Sequence, residues 1–525
     1  MRTACLRPAA LVLALLLPSL GLAQARARPP AWVDGLAAEL DRHRQEWAVP
    51  GVAIVVVKDD RVVLATGLGV KEVGKDARVG PDTRFAIGSN TKAFTAALAV
   101  LLASEGKLSL DDRLEDLLPG FQLQDPWITR EARLRDGLSH RLGYERWAGD
   151  VLAWGSSYDA REVLHRLRFL APRPGGFRTY GYNNWPFTLA ALVIEERGGK
   201  PWAEALQERL LGPMGMARTT ANVPDLGGGA DVVTPHSFIG GGWRPIPHTR
   251  LEAYAPAAAM YSTANDLGRW LRVLLEGGKL DGRVMLPAAV LDEMRAAHVT
   301  QRITPAYLAL FPGTTLRSAG LGLMLRSTRG RLIVEHSGAV DGMFSRVLTV
   351  PSERLGIAVL TNAETTFQDL AAETVLDRAL GGVPGAGGAA AQAAARAARS
   401  KAWLAEWRKE DGVDAELVMM PARQADARPP LPPERHAGRY RNDLLGDAVV
   451  RVEGGKLLLE MPWHPGLAAT LEPWGNDVWK ASWRSPAFKV SPVSFAVGAD
   501  GRARELRTRV LPFIDPLEYS FVRVE

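Results

Sequence analysis

A serine followed three residues later by a lysine, Ser89 and Lys92, sits in the run Phe85-Ala86-Ile87-Gly88-Ser89-Asn90-Thr91-Lys92-Ala93-Phe94-Thr95. The apolar stretch that follows, 93–103, has Phe94, Leu98, Leu101 and Leu102 at helical spacing. A helix starting here puts both side chains on one face of its first turn. The unpaired N–H groups and the dipole of that turn favour negative charge at the hydroxyl. The chemistry this suits is nucleophilic attack by Ser89 with an amine at hand to take its proton. Spacing alone is weak evidence, because Ser104-Glu105-Gly106-Lys107 repeats it at the end of the same helix. That copy lies beside a helix-stopping glycine and reads as a surface cap.

Other chemistries are poorly supported. The chain lacks a G-x-S-x-G elbow and an H-E-x-x-H pair, which argues against an α/β-hydrolase and a metal hydrolase. Lone histidines such as His43, His165 and His298 read as surface or capping groups. No metal or organic cofactor is expected.

The elements that must position Ser89 follow from periodicity. Residues 33–47 read as an amphipathic helix, and 51–57 with 62–65 as a β-hairpin turning at Lys58-Asp59-Asp60-Arg61. Residues 157–217 are mostly helical, with the polar aromatic turn Tyr180-Gly181-Tyr182-Asn183-Asn184-Trp185 just before an apolar helix at 189–195. Thr263 and its neighbours cap a helix at 267–275. Strand-like runs return at 321–325, 332–335, 346–350 and 355–360, so strands open and close this region and helices fill its middle. Residues 381–430 form an Ala/Gly-rich linker with a charged helix and the stiff spacer Arg428-Pro429-Pro430-Leu431-Pro432-Pro433. Residues 431–525 are all β, with hairpin signals at Gly454-Gly455 and Asp500-Gly501.

Composition narrows the class. At 525 residues, with 47% hydrophobic and 23% charged residues, the chain is a globular protein of two or more domains. Residues 1–25 read as a secretory signal, with Arg2 and Arg7, an apolar core and Ala23-Gln24-Ala25 as the cleavage site. The expected location is periplasmic or secreted, with no membrane span left after cleavage near Ala25. The only cysteine, Cys5, would be lost, leaving no disulfide, thiol nucleophile or thiolate metal site. The net charge of +6 is spread along the chain without a block of like charges, so nucleic acid is not an expected partner.

Gly88-Ser89-Asn90-Thr91-Lys92, Tyr182-Asn183-Asn184 and His336-Ser337-Gly338, in that order, resemble the three motifs of the serine β-lactamase and penicillin-binding-protein superfamily. The likeness is to its class C branch, which includes D-Ala-D-Ala carboxypeptidases, D-aminopeptidases and esterases. It covers about residues 33–380. Look-alikes of the shorter motifs, Tyr440-Arg441-Asn442, His436-Ala437-Gly438 and His464-Pro465-Gly466, fall in the C-terminal β region and out of order.

The resemblance implies an α+β fold. A β-lactamase/transpeptidase-like domain at 26–380, an antiparallel sheet flanked by helices plus an all-helical subdomain, precedes a small all-β domain at 431–525. It implies acyl transfer through a Ser89 acyl-enzyme, with Ser89, Lys92 and Tyr182 catalytic. Asn184, His336, Ser337 and Gly338 would bind substrate, and the N–H groups of Ser89 and Ala339 would form the oxyanion hole. Taking the Ser89 proton requires Lys92 near pKa 7, a shift of about 4 kcal/mol; Lys92 and Tyr182 both remain candidates for the base. His336 stands where many β-lactamases and carboxypeptidases carry a lysine facing the substrate carboxylate. That favours D-amino-acid peptides or esters, cell-wall peptides among them, over a true β-lactamase; a non-catalytic envelope-binding protein that keeps the fold is the other alternative. The oligomeric state is not legible.

Overall fold

The structure, a computed structural model, describes residues 28–223, 231–383, 385–410, 420–422, 431–510 and 514–525. The expected signal segment and the first half of the proline-rich spacer lie outside the described residues.

The run Gly51-Val52-Ala53-Ile54-Val55-Val56-Val57 has an apolar side chain pointing each way, so it can form only a strand covered on both faces. It does. Strand β1 (Gly51–Lys58) is buried along nearly its whole length and turns into β2 (Arg61–Gly69). Helix α1 (Leu36–Glu46) precedes it, and α2 (Thr91–Ser104) follows. The helical middle of the chain includes α3 (Trp185–Gly198) and α4 (Ala264–Leu275), the latter N-capped by Thr263. Six further strands complete the sheet: β3 (Val299–Thr300), β4 (Thr314–Ala319), β5 (Met324–Thr328), β6 (Arg331–Val340), β7 (Met343–Val350) and β8 (Leu355–Thr361).

The sheet is eight-stranded, in the order β2-β1-β8-β7-β6-β5-β4-β3. Its first domain is thus closed by pairing the N-terminal hairpin with the last strand, Val52 opposite Thr361. Alternation along β1 divides the core in two. Ala53, Val55 and Val57 face the layer of α2, α3 and α4, where the Phe94 and Trp270 rings stack at 4.3 Å. Val52, Ile54 and Val56 face α1 and α5 (Phe367–Ala379).

Part of the stretch expected as a linker is helix α6 (Ala389–Glu410), and it packs on the first domain. Ser400 accepts from Trp47 Nε1 at 3.0 Å, and Arg396 pairs with the buried Glu39 at 2.6 Å.

The C-terminal region is a closed antiparallel barrel of eight strands: β9 (Gly438–Asn442), β10 (Gly446–Glu453), β11 (Lys456–Glu460), β12 (Ala468–Gly475), β13 (Val478–Trp483), β14 (Val490–Val497), β15 (Ala503–Thr508) and β16 (Tyr519–Arg523). Its core is filled by side chains that include Tyr440, Leu459, Trp479, Phe495 and Phe521, as expected for a barrel of this strand number. The fold is therefore α+β with an all-β C-terminal domain. No helix among the described residues is long and apolar enough to cross a membrane.

A buried ion network clamps α5 to the sheet one residue before His336. Glu335 accepts from Arg326 at 3.0 Å and Arg346 at 2.6 Å, and Arg346 reaches Asp369 at 2.9 Å. Burial alone would raise the Glu335 carboxyl, but the two guanidiniums outweigh it and hold it below its ordinary value. Replacing Glu335 with alanine takes one of two carboxylate partners from each of the buried guanidiniums, leaving Arg326 only Glu373 and Arg346 only Asp369, and is expected to cost about 3 kcal/mol. A urea denaturation midpoint unchanged from wild type would refute this.

Candidate active site

Ser89 lies in the 3₁₀ turn Gly88–Asn90 that feeds directly into α2, and Lys92 is the second residue of that helix. The turn is held from both sides. Thr91 Oγ1 donates to the Gly88 carbonyl at 2.7 Å, and Ser345 Oγ on β7 donates to the Ile87 carbonyl at 2.7 Å. Asn90 Nδ2 reaches Ser345 Oγ at 2.8 Å.

Two glycines let β6 lie against this turn. Gly88 has φ +53°, and a Cβ there would fall 2.5 Å from the Ala339 nitrogen. A Cβ on Gly338 would collide with the Ile87 carbonyl oxygen and with Ser345 Oγ. Strand β6 pairs with β7 over 334–340 but with β5 only over 331–335. The edge of 336–340 is therefore left free of a strand neighbour beside Ser89.

Lys92 is fully buried, and its Nζ has three contacts: Ser89 Oγ at 3.0 Å, Asn184 Oδ1 at 2.6 Å and the Ala257 carbonyl at 3.0 Å. The last two can only accept. A neutral amine spends both hydrogens on them and presents its lone pair to the serine hydroxyl. Burial pushes the Lys92 amine down to about 7, against the opposing pull of the Asp150 carboxyl.

The Tyr182 ring lies 5.0 Å from Lys92 Nζ. Burial drives this phenol well above its ordinary value, and the neighbouring Ser89 hydroxyl only partly offsets that. Tyr182 is accordingly a phenol at neutral pH, with its ring stacked on His140 at 4.2 Å.

His336 stands 6.0 Å from Tyr182, ring to ring. Its Nδ1 lies 2.5 Å from the Ser337 carbonyl and so carries the proton, while Nε2 has no partner among the described residues. Burial, and then the Lys92 charge, push it down to about 3, so the imidazole is neutral. Ser337 alternates onto the face of Glu335 and Arg346, opposite His336, and is exposed. Its contribution to a site here is backbone. Arg146, whose charge also reaches Tyr182, lies 3.9 Å over the Trp147 ring.

The structure thus brings Ser89, Lys92, Tyr182, Asn184, His336, Gly338 and Ala339 to one place. The look-alikes lie elsewhere: Tyr440 donates to the His436 carbonyl inside the barrel, and Ser104 Oγ caps Leu101 at 2.7 Å. Sequence reasoning missed the Ala257 carbonyl, His140, Ser345 and Asp150. Asp150 is buried and accepts from Asn184 Nδ2 at 2.6 Å and from its backbone N–H at 3.2 Å.

The family model "Beta-lactamase" matches residues 36–381, and a domain of unknown function, DUF3471, matches 422–521. An unguisins hydrolase of Aspergillus campestris is 29% identical over 343 residues, 63% of this chain and 61% of that protein. Penicillin-binding protein 4 of Amycolatopsis lactamdurans is 29% identical over 340 residues, 63% of this chain and 86% of that protein. A D-aminopeptidase of Gluconobacter oxydans is 27% identical over 347 residues, 63% of this chain and 59% of that protein. The match therefore spans about three fifths of the length of the hydrolase and the aminopeptidase. The fold is shared with the octameric penicillin-binding protein homologue from Pyrococcus abyssi, at a TM-score of 0.57 and 20% identity over 94% of this chain and 100% of that one. The chain belongs to the β-lactamase family of serine hydrolases, within the serine β-lactamase and penicillin-binding-protein superfamily.

Proposed function

We propose that this is an exported hydrolase that cleaves D-amino-acid amides, peptides or esters through an acyl-enzyme on Ser89. The observation that carries the reading is the lysine whose two other contacts are fixed acceptors, so that its lone pair has only the Ser89 hydroxyl to face. Ser89 Oγ attacks the carbonyl carbon while its proton passes to Lys92 Nζ. The carbonyl electrons move onto oxygen, which is received by the N–H groups of Ser89 and Ala339 at the free edge of β6. Tyr182, held as a phenol, hands its proton to the departing amine or alcohol and is resupplied from Lys92. Water then attacks the ester and returns the site to its starting state. Between the two candidate bases, the opposed shifts of Lys92 and Tyr182 favour the lysine.

Neutral His336 supports the substrate class. Position 336 offers no cation to a substrate carboxylate, which counts against an efficient β-lactamase. The D-aminopeptidase among the relatives is in keeping with amide substrates. Export rests on the signal-like pattern of residues 1–25.

The test is intact mass of the protein recovered from periplasm, expected to start near residue 26, after treatment with a fluorophosphonate. Ser89 Oγ displaces fluoride from phosphorus, and Ser89→Ala must abolish the adduct. Acylation is expected to rise as pH increases through about 7, as Lys92 loses its proton. An adduct that persists in Ser89→Ala refutes the mechanism.

On a matched pair of D-alanyl substrates, the C-terminal amide or methyl ester is expected to outpace the free acid in kcat/KM. The reverse order would remove the argument from His336. Gly338→Ala pushes β6 off the Ser89 turn and is expected to slow acylation by about 100-fold, the scale of a lost oxyanion donor. A wild-type acylation rate in this variant would mean that the close approach of strand and turn is not used.

A further inference from the structure

The helical segment behind the site is held by the barrel. Asp515, buried in the loop between β15 and β16, accepts from the Val151 N–H at 3.3 Å. The same carboxyl accepts from Tyr519 Oη at 2.8 Å and from the Leu517 N–H at 3.1 Å. Val151 is the middle residue of the 3₁₀ turn Asp150–Leu152. A few residues on, His464 Nε2 bonds the Trp154 carbonyl at 2.7 Å and the Ser157 N–H donates to the Trp463 carbonyl at 2.9 Å. The barrel thus pins residues 151–157 at both ends.

From that turn Asp150 reaches forward to Asn184, accepting from both its backbone N–H and its Nδ2. This settles which way the Asn184 amide faces. With Nδ2 committed to an acceptor, Oδ1 must point at Lys92, which it meets at 2.6 Å. A flipped amide would set two donors against each other.

We propose that Asp150 and the barrel residue Asp515 are positioning residues for Lys92. The barrel fixes the 150–152 turn, the turn fixes Asp150, and Asp150 orients the amide that aims the lysine. This rests on the reading of Lys92 as the proton acceptor for Ser89, and gives the C-terminal domain a task in the chemistry without touching substrate. The titratable groups facing Lys92 are Tyr182 and His140 from the helical side, His336 from β6 and Asp150 from behind. Asp515 and Tyr254 stand next to Asp150.

The experiment uses the full chain and two readouts: the rate at which a fluorophosphonate phosphonylates Ser89, standing in for acylation, against pH, and the Lys92 titration followed by the NMR shift of its labelled ε-carbon. Asp150→Asn is isosteric but removes the charge that opposes the lowering of the Lys92 pKa. Acylation is expected to fall at least tenfold at the pH optimum, with the acid limb and the Lys92 titration both moving to lower pH. A merely structural role would not move the limb. Asp515→Ala is expected to slow acylation at least tenfold, and Asp515→Asn, which keeps an acceptor for Val151, to restore most of it. If Asp515→Ala does not fold, Tyr519→Phe removes only the hydroxyl that holds Asp515 and must slow acylation at least threefold. Folded variants with wild-type rates and an unmoved Lys92 titration would overturn the proposal. A wild-type protein that takes no label would sink the hydrolase reading, while the Lys92 titration in Asp150→Asn would still decide the relay.

Discussion

An amine taken out of water and left with one useful neighbour is the constraint around which the molecule is arranged. Lys92 has no solvent to stabilise its charge, and that desolvation is what makes a lysine usable as a base at neutral pH. Everything that buries it also aims it. The 3₁₀ turn before α2 supplies the serine and α2 itself the lysine, the Ala255–Ala258 helix lends a carbonyl, and α3 starts directly after Asn184, whose side chain is the other acceptor. Lys107, at the same spacing after Ser104, has none of this: it is exposed and pairs with Glu105.

The second requirement is that a strand come close enough to share the site. Backbone is brought against backbone where Gly338 meets Ile87 and Gly88 meets Ala339. The hydroxyl of Ser345 and the amide of Asn90 lock the two together. The buried Glu335 network performs the matching task one residue upstream, tying β6 to β5, β7 and α5. The site is therefore a seam between a helical layer and a sheet, held closed by these contacts.

Much of this was legible in the sequence, for a physical reason. Ser89, Lys92, Tyr182, Asn184 and His336 belong to short runs whose order along the chain carries information. The unbroken apolar run of β1 and the capping Thr263 identify their elements locally. What could not be read are groups whose role depends on long-range contacts. Asp150 is an unremarkable acid until the fold places Asn184 beside it, and the Ala257 carbonyl has no side-chain signature. The run 321–325, expected as a strand, enters the sheet only at Met324. Its first residues give their N–H groups to the Met294 and Leu138 carbonyls instead, so they are apolar because they pack under α2 and the Ala288–Arg295 helix, not because they pair in a sheet. In the barrel, the hairpins with glycine turns were evident, whereas β12 and β13, rich in polar and tryptophan residues, were not.

The closure of the sheet has a consequence for how the chain is made. Strand β1 takes one neighbour within a few residues but receives the other, β8, on the order of 300 residues later. A ribosome must deliver roughly two thirds of the polypeptide before that apolar strand is covered on its second edge. Until then one of the most hydrophobic segments of the molecule has an open hydrogen-bonding side, a template for pairing with the wrong chain. Holding factors that bind nascent apolar segments would act on residues 51–57 first, and the rate at which the mature fold appears is set by this late pairing rather than by the helices between.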